Sequence, residues 1–460
     1  MEKTVRFSLH PTCPDLHRLG PTRADALLRA EAAAVAAENA AEHDRFRTLN
    51  NEEEAQQDGR GVTRRTFVAG AAATVTALAT TQFVSARASF AATPGGTLVH
   101  VFLYGGLDGL SLIAPADEDD LLARVRPDLV LPDNDSIALD RNFKLTSAFK
   151  PLEKHLKAGQ LGFVPAVSDP RLSRSHFQAA DACNLGGLPN ETAGRGFLDS
   201  LVDALGPGTA FRSVGIGSTL PRSLVGTNGA ISLNSVGSLN LNGDGRYRDA
   251  TAAAIRGLFT GINHPVEESV QSGLAALATA QKLAAQGYEP AEGVKYEGVG
   301  NAFRQLAHLI KGGANVRVAT IGMGGYDTHE NQGSRDGGYL HRRLGELASA
   351  LAAFFDDLGD RAADVTVMVS SEFGRRVAQN GSGTDHGHGG VVTVLSGKKL
   401  AGSLLGDWQG LDKLDSGDVP EFNNMFHVYG SVAQGRFGLT DAEVEKIFPR
   451  QKYTPVKLFA

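Results

Sequence analysis

Three times along this 460-residue chain, a short run of branched and aromatic residues ends in glycine or serine and is followed by an acid. Residues 97–104 (TLVHVFLY) run into Gly105-Gly106-Leu107-Asp108. Residues 316–322 (VRVATIG) run into Gly324-Gly325-Tyr326-Asp327-Thr328-His329, and residues 365–369 into Ser370-Ser371-Glu372. Continuous apolar runs of this length, bounded by turn residues, read as strands buried on both faces. Helical spacing separates them, most clearly over 340–358, where Leu344, Leu347, Leu351 and Phe354 share one face. Strands alternating with helices predict a mostly parallel sheet between helix layers. Such a sheet displays its site on the loops at the carboxyl ends of its strands.

The rest of the chain fits this frame. Residues 161–167 (LGFVPAV) read as a strand, followed by SDPRLSRS and a helix from His176. Residues 391–395 read as another strand, reached through the polar loop 370–390, SSEFGRRVAQNGSGTDHGHGG. Helices are expected over 145–157, 197–204, 249–259, 266–286, 303–310, 422–436 and 441–447. Residues 211–242 carry short strand-like pieces rich in Ser, Thr, Asn and Gly, and read as part of an irregular insertion at about 206–300.

A hydrophobic share of 42% and a charged share of 21% are an ordinary globular balance with ample material for a core. The net charge of −6 gives no support for nucleic-acid binding. Residues 1–62 read as a helical and disordered extension, Ala/Glu-rich and then acidic. Residues 63–91 have the pattern of a signal peptide: Arg64-Arg65 before Phe67, a weakly apolar Ala/Thr-rich stretch, then small residues around Ala86-Arg87-Ala88 and Ser89-Phe90-Ala91. Paired arginines point to the twin-arginine route, with its translocase as partner and only transient membrane contact. The apolar stretch is short for a membrane anchor. Export would leave a mature domain of 92–460 in the periplasm, at the cell surface or outside the cell. Only Cys183 would then remain of the two cysteines, Cys13 and Cys183, so no intrachain disulfide is expected.

Asp108, Asp327 and Glu372 follow strands, and the loop before the strand at 391 adds Asp385, His386 and His388. With His329 they make four carboxylates and three imidazoles. Mixed oxygen and nitrogen donors without thiolate suit one or two divalent ions, Zn, Mn, Fe or Mg. Ser173 and Ser175 stand at a helix N-terminus, where free amides favour an anion. Either reads as a nucleophile or as an N-cap. His176, beside the serine, reads as an alternative nucleophile or base, or as a plain first helical residue. Arg174, Arg375 and Arg376 would hold an anionic group. Asp108 reads equally as the acid of an Asp-Gly turn, and Asp327 with His329 as a cap and a surface imidazole.

Together, the leader, GGLDGLS, RLSRSHF, GGYDTH and SEFGRR…N…GTDHGHGG resemble an uncharacterised bacterial family of twin-arginine-exported proteins, grouped with the alkaline phosphatase/sulfatase superfamily. The resemblance covers about residues 98–439. It implies an alkaline-phosphatase-like α/β/α sandwich. By that resemblance Asp108 follows the first strand as a metal ligand, Ser173 or Ser175 is the nucleophile, and Asp327 and His329 are later ligands. The superfamily's Asp-His pair at the next strand is replaced by Glu372-Phe373, with an acid–imidazole pair later at Asp385-His386. The expected function is an exported metallohydrolase of phosphate or sulfate esters acting on a small anionic substrate. The alternative is a non-catalytic metal- or partner-binding protein on the same fold, and a further reading is a polysaccharide-binding protein.

Overall fold

A computed structural model describes residues 95–241, 248–261, 265–450 and 452–460. The extension and the leader with Arg64 and Arg65 lie outside the described residues.

Among the described residues the strands are β1 (Thr97–Leu103), β2 (Ile113–Pro115), β3 (Ser136–Ala138), β4 (Phe143–Thr146), β5 (Leu161–Ser168), β6 (Ser213–Ile216) and β7 (Ile231–Leu233). They continue as β8 (Val318–Met323), β9 (Val365–Ser371), β10 (Arg375–Asn380), β11 (Gly383–His386), β12 (Gly390–Ser396) and β13 (Asn423–Asn424). Eight form one sheet in the order β13-β5-β12-β9-β1-β8-β6-β7. β1 pairs in parallel with β8 and β9, and β6 in parallel with β8 and β7. β12 alone runs backwards, antiparallel to both β5 and β9. The mostly parallel α/β sheet is therefore the fold class expected.

The main helices are α1 (His176–Leu185), α2 (Phe197–Leu205), α3 (Arg248–Phe259), α4 (Pro265–Gln286), α5 (Gly300–Lys311), α6 (Tyr339–Leu358), α7 (Met425–Phe437) and α8 (Asp441–Ile447). Successive side chains of β1 point to opposite faces. Val99, Val101 and Leu103 pack with Phe303 and Leu306 of α5 and with Leu344, Leu347 and Leu351 of α6. Leu98 and Phe102 pack with α2, α7 and α8 through Phe197, Leu201, Phe426, Tyr429 and Val444. Two cores, one on each face, make the sandwich. Cys183 is buried and free. No helix among the described residues is long and apolar enough to cross a membrane.

Register aligns the site-bearing ends. Leu103 pairs with both Met323 and Ser371, so β1, β8 and β9 finish level. Their exits carry Gly105, Asp327 and Glu372 off the same edge. Because β12 is reversed, its start at Gly390 lies at that edge too, and the segment before it needs no crossover to reach the site.

Two expectations are corrected. Residues 145–157 form no single helix: Thr146 ends β4, a 3-10 segment spans Ser147–Leu152, and only Glu153–Lys157 is α-helical. Pro151 lies inside the 3-10 segment, where it removes a donor and disfavours the α conformation before it. The polar stretch after Glu372 is not a plain loop but an antiparallel hairpin of β10 and β11. Within 206–300, β6 and β7 extend the main sheet at its β8 side.

Candidate metal centre

Three side chains from separate elements converge at the carboxyl edge. They are His176 at the start of α1, Asp327 beyond β8, and His386 at the end of β11, with one donor atom each within 4.8 Å of the others. The imidazoles are held from behind. His176 Nδ1 lies 2.8 Å from Glu372 Oε1, which directs Nε2 towards Asp327 Oδ2 at 3.6 Å. That Nε2 is buried and has no hydrogen-bond partner. His386 Nδ1 lies 2.9 Å from the Arg174 carbonyl, leaving Nε2 3.7 Å from Asp327 Oδ1. His329 repeats the pattern, with Nδ1 towards Asp385 at 3.6 Å and Nε2 3.1 Å from Asp327 Oδ1 and 2.9 Å from His386 Nε2. Three imidazoles thus turn Nε2 inward on one carboxylate. Occupying the outer nitrogen of a histidine is how proteins fix a ligating tautomer.

Asp327 is fixed by Arg375, whose Nη2 reaches it at 2.7 Å. The rest of that buried guanidinium binds the carbonyls of Gly105, Gly106 and Thr384. Two glycines permit this crowding. A side chain at Gly105, whose φ is +123°, would meet the Asp327 backbone, and one at Gly383 would meet the His329 backbone. The glycine beside Asp108 therefore admits a neighbouring segment of chain.

Charge follows from this geometry. Burial would lower the pKa of His176, but Asp327 and Glu372 outweigh it and hold the pKa at about 9. Burial would raise the Asp327 carboxyl, yet the facing imidazoles of His176, His329 and His386, with the Arg375 charge, keep it far below the carboxylate range. Burial lowers His386; Asp327 opposes this, and the charges of Arg375, His176 and His329 add to it. A neutral imidazole beside a permanent carboxylate offers two donors to a cation.

The other expected residues stand as follows. Glu372 is buried behind His176, also accepting the Gly105 amide at 2.8 Å and the Ser371 hydroxyl at 2.9 Å. Asp385 sits behind His329 and accepts from Asn380. Asp108 is not brought into the cluster: it is buried against Arg126 at 2.9 Å and accepts from Ser111 at 2.5 Å and Gln332 at 2.6 Å. His388 contributes its carbonyl, which accepts the Gly374 amide. Arg375 is spent on carbonyls and Asp327, so it has no fork left for a substrate. Arg174 and Arg376 share the buried carboxylate of Asp418. Ser173 is exposed and donates to Gln178 at 2.9 Å, whereas Ser175 caps α1 without a side-chain bond to its amides.

Sequence reasoning missed Arg126, Gln332 and Asp418. Gln332 bridges the site's supports, donating to Asp108 and Ser111 and accepting from Thr328 at 3.0 Å and Thr384 at 2.8 Å. An Asp followed at some distance by an unassigned Arg was the one available signal for the Asp108–Arg126 pair. Gln332 had none.

Residues 168–427, over half of the chain, match the family described as "Protein of unknown function (DUF1501)". The chain belongs to the DUF1501 family. The match takes in every residue of the His176, Asp327 and His386 cluster. No curated relative matches this DUF1501 chain. Among solved structures it is similar to the C-terminal periplasmic domain of EcEptC from Escherichia coli in complex with Zn. Identity there is 12% and the TM-score 0.33, over 74% of this chain and 83% of that one. It is also similar to the PsFucS1 sulfatase from Pseudoalteromonas sp., at 9% identity and a TM-score of 0.33, over 72% of this chain and 70% of that one. At these scores neither structure bears on the chemistry of this DUF1501 protein.

Proposed function

We propose that the protein is a metal-dependent hydrolase of phosphate or sulfate esters, built on one divalent ion held by His176, Asp327 and His386. The observation that carries this reading is the buried, unpartnered Nε2 of His176, aimed at Asp327 while Glu372 holds Nδ1. A buried nitrogen without a partner is costly unless something occupies the space before it. Two imidazoles and a carboxylate leave a coordination position open, as in catalytic zinc sites, and also suit Mn or Fe. With Asp108 ion-paired and His388 outside the cluster, the convergent donors serve one centre. A bound divalent ion supplies Lewis acidity and an acidified water.

The chain's own residues would do the rest. Glu372 and the Arg174 carbonyl orient the imidazoles, and Arg375 holds Asp327. Arg174 and Arg376 are each about one-third exposed and meet at one carboxylate, so the trio carries net positive charge. Arg174 Nε and Nη1 donate to no other described residue, and would receive the anionic group. Ser175, whose hydroxyl is not spent on helix amides, is the better candidate nucleophile than Ser173. Export by the twin-arginine route would deliver this enzyme folded to the periplasm, the cell surface or the medium.

The test is metal analysis of the purified protein, followed by turnover of an aryl phosphate and an aryl sulfate. Stoichiometric metal is expected, with turnover lost in Asp327→Ala, strongly reduced in Ser175→Ala and retained in Ser173→Ala. Bound metal without turnover of either ester would favour a non-catalytic metal-binding protein.

A further inference from the structure

Among the described residues, three large hydrophobic side chains stand exposed: Tyr104 at 39%, Phe177 at 52% and Tyr339 at 40%. A lone exposed aromatic needs no explanation. These three come from different segments, and each lies next to a residue near the metal centre. Tyr104 precedes Gly105, whose amide binds Glu372. Phe177 follows His176 on α1. The Tyr339 hydroxyl lies 2.8 Å from where a side chain at Gly325 would begin, two residues before Asp327.

Phe177 also lines a groove of about 600 Å³ that mixes apolar Leu172, Leu188 and Pro189 with polar Gln178, Asp181 and Asn190. Its one arginine, Arg171, is neutralised by Asp169 and Glu191. Gln178 uses its carbonyl on Ser173, and Asp181 uses Oδ1 on Arg222. That leaves the Gln178 and Asn190 amides and Asp181 Oδ2 around an exposed aromatic face. A lipid chain would need a continuous apolar lining. A nucleic-acid strand would need unpaired cations. An aromatic ring sharing a groove with amides, a carboxylate and a few apolar side chains suits a pyranose or furanose. The C–H face of such a sugar is apolar and weakly positive, matching the negative face of the aromatic quadrupole, and its hydroxyls both donate and accept.

We propose that the Phe177 groove is a carbohydrate-binding subsite and that the ester handled at the metal centre is carried on a glycan. The second clause rests on the metallohydrolase reading; the first stands without it. The full chain would be screened against immobilised neutral, phosphorylated and sulfated oligosaccharides of two to six sugars, with and without EDTA, and the Kd of the best binder measured for wild type, Phe177→Ala and Asn190→Ala. Binding that survives EDTA and weakens at least tenfold in both variants, with metal content and melting temperature unchanged, is the expected result. Phe177 is half exposed, so its truncation leaves the core intact. No oligosaccharide bound, or wild-type affinity in Phe177→Ala, overturns the subsite. Glycan binding without ester turnover counts against the hydrolase alone, and turnover without glycan binding counts against the subsite alone.

Discussion

Glu372 Oε1 lies 2.8 Å from His176 Nδ1 and 2.8 Å from the Gly105 amide, with Glu372 only 1% exposed. One carboxylate therefore holds the His176 ring and the turn after β1 together. Removing it in Glu372→Ala should weaken metal affinity by roughly 10–100-fold, the range for partners that orient ligating histidines. Glu372→Gln keeps an acceptor oxygen and should lose less. Competition titration with a chromophoric chelator measures both, and equal affinity in all three proteins would remove Glu372 from the site.

Asp108 and Asp327 are both acids beyond strands, yet their partners differ. Asp108→Asn strands a fully buried Arg126 and should cost about 3 kcal/mol of stability. Its metal content should stay at the wild-type level. Denaturant unfolding alongside metal analysis separates the roles: a variant of normal stability that loses its metal would make Asp108 a ligand after all.

His100 lies within β1, fully buried between Phe102, Phe197 and Tyr429, with Nε2 2.9 Å from Ser370 Oγ. Burial lowers its pKa from 6.5 to about 3. Below about pH 6.5 the unfolded chain takes up a proton that the folded chain refuses. Stability should therefore fall as pH drops from 6.5 towards 3, by up to about 1.4 kcal/mol per pH unit from this group. His100→Asn should be less stable at neutral pH but should lack this slope. Urea unfolding at several values between pH 7 and pH 5 compares the slopes above the carboxylate range. Parallel wild-type and variant curves would rule the effect out.

Metal removal should destabilise the fold, because the three donors come from segments far apart in sequence. Zinc at about 100 times its Kd should return about 2.7 kcal/mol relative to the chelated protein. Thermal melts with EDTA and with added Zn, Mn or Fe measure this, and Asp327→Ala should show no shift. A wild-type melting temperature indifferent to EDTA and to every metal would sink the centre.

Much of the sheet was legible because its strands are buried on both faces. Residues 97–104, 161–167, 365–369 and 391–395 are predominantly apolar runs, and each forms within two residues of its expected bounds. The metal cluster was half legible. Asp327, His329 and His386 are typed by residue and by the strand ends near them, and His176 reads as a nucleophile, a base or a helix start. What could not be read was the partner of each charge. Asp108 looks the same in sequence whether it meets a metal or Arg126, because Arg126 arrives from the turn just past a short helix at Asp119–Val125, whose packing no periodicity encodes. The hairpin of β10 and β11 was hidden because its polar residues lack the alternation of a half-buried strand.

The reversed direction of β12 also sets how the site assembles. Glu372, Arg375 and His386 belong to one connection between neighbouring antiparallel strands, and Arg375 meets the Thr384 carbonyl across only 9 residues. The contacts that complete the centre, Glu372 with His176 and His386 with Arg174, span 196 and 212. Loop closure over such spans costs more entropy, rising with the logarithm of length. Half of the centre's residues are thus carried on one local connection between β9 and β12. The other half is delivered only when the sheet is complete, so the site is a reporter of finished folding.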